Sequence, residues 1–92
     1  MEPDWEDQAR TIIRVELVRA RVNYKELAWR FEQMGIQETA ANLSNKVARG
    51  RFSFAFFLQC MTAIGVTVVD INGAVSGAML MKVPEGDNEG EV

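Results

Sequence analysis

Three stretches of helical periodicity, each opened by a capping residue and closed by a glycine, constrain this chain more than any other feature. Asn23 followed by Glu26 has the spacing of a capping box, and Tyr24, Leu27, Ala28, Phe31 and Met34 behind it make an apolar face that stops at Gly35. Thr39 is placed to cap the next helix, whose inner positions are Ala40, Leu43 and Val47 and whose stop is Gly50. Ser53 caps the last, with Phe52 placed to staple onto Phe57, and Gly65 and Val66 close it against Met61. Ahead of these, Trp5, Ala9, Ile12, Ile13, Leu17 and Ala20 recur at helical spacing and predict a long amphipathic helix from Trp5 to Arg21.

After Val66 the pattern changes. The apolar, β-branched run from Val66 to Ile71, then Asn72-Gly73, then Ala74 to Val83 reads as a β-hairpin, because both residues of a tight hairpin turn must accept positive φ. A short helix over Ala74 to Met81 competes with it, since alanine and methionine favour helix while Gly77 opposes it. Residues 84–92 carry acids, glycine and one large apolar residue, the composition of a disordered tail. The expectation is one mainly α domain over 1–83, with four or five helices and a C-terminal hairpin over 66–83.

The net charge of -3 conceals an uneven distribution. Glu2, Asp4, Glu6 and Asp7 at one end and Glu85, Asp87, Glu89 and Glu91 at the other account for eight acids, while residues 8–83 hold ten bases against five acids. A basic body with acidic ends suits a polyanion-binding module, and equally a solvated surface with solubilising ends. With no histidine and Cys60 as the lone cysteine, the usual nucleophile–base arrangements, zinc sites and internal disulfides are excluded. No enzyme, cofactor or metal is expected. The apolar run Phe54 to Leu58 is far too short to span a membrane and the acidic start is unlike a signal peptide, so the expected setting is cytoplasmic. Cys60, inside the last helix, reads as a small buried hydrophobe.

The chemistry concentrates in the third helix. Asn42, Asn45, Lys46 and Arg49 fall at i, i+3, i+4 and i+7, a polar stripe opposite the apolar one. Asparagine is a poor helix former, so two on one stripe point to a selected contact, although a solvated or capping face is the alternative. Asn42 and Asn45 can pair bidentately with adenine, Arg49 can reach guanine or phosphate, and Lys46 and Arg51 suit phosphate. Glu38, on the Asn42 side, either limits affinity or accepts from a cytosine amine. Phe54, Phe57, Leu58, Met61 and Ile64 share one arc of the last helix and read as core. Phe56, at the margin of that arc, and Trp29, outside the apolar face of its helix, either pack beneath neighbouring elements or anchor a subunit interface. The hairpin positions Val69, Ile71, Met79 and Met81 need cover from the helices or from a second subunit.

The order of these parts resembles a known family. YKELAWRFEQMGI (Tyr24 to Ile36), NLSNKVARG (Asn42 to Gly50) and FSFAFFLQCMTAIGV (Phe52 to Val66) are similar to the helix-turn-helix of lambda-repressor-like, Cro-type DNA-binding proteins, with Leu27-Ala28, Arg49-Gly50 and Ile64-Gly65-Val66 in the expected places. The RGxFS string and the FFLQC run resemble more closely a group of small bacterial proteins catalogued as a domain of unknown function. The stretch between Leu27 and Gly35 and that between Ile36 and Leu43 are both longer than in the usual motif. The resemblance implies a sequence-specific regulator of transcription that lays helix 39–49 in the major groove of double-stranded DNA and works as a homodimer. The alternative is a protein-interaction module, antitoxin-like or phage-derived, on the same scaffold without base readout.

Overall fold

The structure is a computed structural model and describes residues 4–71. Four helices follow one another: α1 Trp5–Ala20, α2 Tyr24–Gln33, α3 Ala40–Arg49 and α4 Phe54–Ile64. Each begins on a side chain that accepts a hydrogen bond from an otherwise orphaned amide of the first turn. Asp4 accepts from the Asp7 amide at 3.1 Å, Asn23 from Glu26 at 2.8 Å, Thr39 from Asn42 at 3.1 Å and Ser53 from Phe56 at 3.0 Å. The box at Asn23 is only half made, because the Glu26 carboxylate turns instead to Arg30, one helical turn on.

The ends of α1, α2 and α4 follow one pattern, a left-handed residue and then an apolar residue whose amide returns to the last turn, whereas α3 ends at left-handed Gly50 followed by Arg51. At Gly65 the following Val66 amide donates to the Met61 carbonyl at 2.8 Å, and after Gly35 the Ile36 amide donates to Phe31 at 2.9 Å. At the end of α1 the left-handed residue is Arg21, with φ of 59°, and Val22 behind it donates to Leu17 and is buried. That closure was not legible from the sequence, since no glycine marks it.

The core is a single cluster formed by Ile13 and Leu17 of α1, Val22, Leu27 and Phe31 of α2, Leu43 and Val47 of α3, and Phe56, Cys60, Met61, Ala63 and Ile64 of α4. Helices α1 and α2 each pack against both α3 and α4. Phe56 lies at its aromatic centre, its ring 6.2 Å from Phe31 and 5.5 Å from Phe52.

Two expectations are corrected. No β-strand occurs among the described residues, so the C-terminal hairpin over 66–83 is not seen: Val66 is consumed in capping α4, Val69 packs against the core, and the Ile71 carbonyl accepts from the Gln8 side chain at 3.0 Å. Docking on the helices accounts for Val66 and Val69, while Val68 and Ile71 stay exposed; residues 72–83, with Met79 and Met81, lie outside the described residues. The face of α4 is also rotated from the expected arc. Phe56 is buried and so offers no surface for a partner, while Phe54 and Leu58 are 72% and 49% exposed.

Candidate functional site

The polar stripe of α3 is set by burial of its opposite side. Leu43 and Val47, one turn apart, are fully excluded from solvent, which turns Asn42, Asn45 and Arg49 outward. Among the described residues the side chains of Asn45 and Arg49 have no hydrogen-bond or ion-pair partner. Asn42 lies in the first turn, where its amide is held by Thr39 and its side chain stays exposed.

The other cations are differently disposed. Arg51, just past the helix, donates to the Glu6 carboxylate at 2.8 Å and remains 77% exposed. Lys46 is drawn inward: its ammonium pairs with Glu38 and sits 5.3 Å from the centroid of the Phe56 ring. Glu38 is therefore the partner of Lys46, with a side chain only 11% exposed. The structure thus brings Asn42, Asn45 and Arg49 together on one open face, with Arg51 beside its end, and places Glu38 and Lys46 at its inner margin.

Two contacts that the sequence did not signal clasp helix ends to the bundle, and the first of them holds this face. From α1, the Arg10 guanidinium donates to the carbonyl of Ala48 at 2.9 Å and to that of Arg49 at 3.3 Å, and to Asp7 at 2.8 Å. It satisfies the carbonyls that the end of α3 leaves unpaired. From α2, Arg30 does the same for the end of α4, donating to Ala63 at 3.1 Å and Ile64 at 3.4 Å. Separations of 38 and 33 residues leave no local pattern by which either contact is found. Gly50 sits under the first of these clasps. Its φ is 70°, and a Cβ there would stand 2.6 Å from the Glu6 carbonyl oxygen, so α1 approaches as closely as a glycine permits.

At the junction of α1 and α2, Trp29 is 57% exposed and lines a shallow pocket of about 430 Å³ with Arg21, Asn23, Lys25, Glu26 and Arg30. Ile71 is 76% exposed and Val69 is half-buried against the core. Burial pushes the Cys60 thiol up to about 12, with nearby Glu38 adding to the rise and Lys46 opposing it. Among the described residues no group of acids and cysteine is placed to hold a metal ion, and no helix is long and apolar enough to cross a membrane.

These features define a small four-helix domain that displays a short, rigidly backed polar helix face. The chain belongs to the family described as a domain of unknown function, DUF6471, whose model matches residues 5–69, from the first helix to just past the fourth. No curated protein and no solved structure matches it.

Proposed function

We propose that this domain is a sequence-specific DNA-binding regulator of transcription in which α2 and α3 act as a helix-turn-helix and α3 enters the major groove. The observation that carries the reading is the outward stripe of Asn42, Asn45 and Arg49, unpartnered among the described residues, on a helix whose other face is fully buried. Free amide and guanidinium groups on a rigid helix match the paired donors and acceptors of adenine and guanine edges. Arg51, exposed at the end of the same face, suits a phosphate. One such module covers little DNA, so a homodimer belongs to this reading, with exposed Trp29 and Ile71 among the positions open to a partner.

The expected result is retention of the full chain on double-stranded DNA, strongest on one sequence and weakening as salt rises. Absence of binding to every duplex at about 50 mM salt would reject the proposal. A second reading, a protein-interaction module, is favoured by one observation: the exposed apolar side chains Trp29, Phe54 and Leu58 lie outside the polar stripe. Recovery of one protein partner with no affinity for duplex DNA would select it.

A further inference from the structure

The connection between α2 and α3 runs from Met34 to Thr39, long enough to leave the approach of α3 poorly set by the chain path alone. Near its end, Glu38 is nearly buried and its carboxylate reaches the Lys46 ammonium two turns along α3. The same ammonium lies over the Phe56 ring of α4, and Phe56 in turn meets Phe31 of α2. One cation therefore ties together the connection, α3 and α4, and through a ring contact α2. The Glu38 side chain is 11% exposed and that of Lys46 42%, which places the pair at the rim of the core, and both charges act on Cys60, one turn beyond Phe56.

The contrast within the stripe is chemical. Asn45 and Arg49 have no partners among the described residues, whereas Lys46 already holds a carboxylate and a ring face. A phosphate would have to displace both, and removing the lysine would leave Glu38 a poorly hydrated, unpaired carboxylate. We infer that Glu38 and Lys46 are positioning residues that fix the presentation of α3, and that Lys46, despite its place on the polar stripe, takes no phosphate. The statement about DNA rests on the DNA-binding reading; the statement about the pair does not.

The test uses the full chain with Glu38→Gln, Lys46→Met, both together, and the exchange Glu38→Lys with Lys46→Glu. Thermal unfolding is measured beside binding to a preferred and a random duplex over a range of salt. Each neutral single change should lower Tm by about 4 °C, and the double should fall short of the sum, because the ion pair they share is lost only once. Lys46→Met should leave the slope of log K against log salt unchanged while the preference for the favoured duplex drops about tenfold. The exchanged pair restores the ion pair but not the cation over the Phe56 ring, and should recover part of both Tm and preference relative to the single changes. A slope shallower by about 0.9 for each subunit, with Tm unaltered, would identify Lys46 as a phosphate contact and overturn the inference. So would an exchanged pair that regains part of Tm with none of the preference for the favoured duplex. If the exchanged chain does not fold, the neutral set decides by the same criteria. If the unaltered chain binds no duplex, the DNA-binding reading falls by itself, and additivity of the two neutral changes in Tm would then overturn the positioning role, as non-additivity would sustain it.

Discussion

Helices α3 and α4 are nearly equal in length and adjacent in the chain, yet their sequences constrain them in different ways. Helix α3 alternates apolar and polar residues with a clean helical period, so only one rotation about its axis buries Leu43 and Val47 together. Helix α4 reads FAFFLQCMTAI, with no charge and one amide, so hydrophobicity alone permits several rotations. What selects its face is shape: Phe56 fits between Phe31 and Phe52, and Cys60, Met61, Ala63 and Ile64 complete the contact with α1 and α2. Phe57 packs half-buried against the edge of the core, and exposed Phe54 stacks on it at 6.0 Å. A strong pattern fixes a face, whereas an abundance of apolar residues fixes only that the helix is buried somewhere.

The largest expected effect probes that rotation. Phe56→Ala should cost about 3–5 kcal/mol in urea unfolding, as for a filled aromatic site in a core, and Phe54→Ala less than about 1 kcal/mol. Equal losses would break the comparison by showing that both rings are equally enclosed. Next come the two glycine stops. Gly50→Ala meets backbone at 2.6 Å in addition to its positive φ, whereas Gly65→Ala meets no atom within 4 Å and carries only the strain of its φ. The change that closes α3 should therefore cost about 1–3 kcal/mol more than the change that closes α4, read from denaturant midpoints.

On the functional side, Asn45→Ala should leave Tm within about 2 °C. It should weaken binding to a preferred duplex by about 1–3 kcal/mol and to random DNA hardly at all. Equal weakening on both duplexes would move Asn45 from base reading to a general contact. The smallest effect concerns Cys60, whose neutral thiol is favoured in the folded state. Its contribution to stability is fully present below about pH 9 and is lost as pH rises toward 12, so pH 7 and pH 8.5 should give the same midpoint as far as this group is concerned. With the thiol fully excluded from solvent and its pKa raised by burial, alkylation of folded protein at pH 8 should be far slower than that of the unfolded chain; comparable rates would mean that Cys60 is accessible.

The same contrast explains what was legible in the sequence. The caps at Asn23, Thr39 and Ser53 and the stops at Gly35, Gly50 and Gly65 are local devices, each decided within a few residues, and all are found where spacing puts them. The outward stripe Asn42, Asn45 and Arg49 follows from period alone. The inward turn of Lys46 does not, because it depends on a carboxylate eight positions earlier in an irregular segment and on a ring from another helix. The run from Val66 to Ile71 misled because β-branched apolar residues suit a strand and a docked extended segment equally well, and only tertiary contacts distinguish them.

The clasp of Arg10 on the end of α3 also sets an order of events. During synthesis α1 emerges before α3, and the carbonyls that receive its Arg10 guanidinium belong to residues 48 and 49, so this clasp waits for the whole of α2 and α3. Closing that loop carries its entropic cost before any reward, and a nascent chain halted ahead of Ala48 holds a helix with a cationic side chain and an apolar face still unmatched. Completion of α3 is thus the moment at which this clasp can close, and the apolar face of α1 is covered in full only when α4 follows.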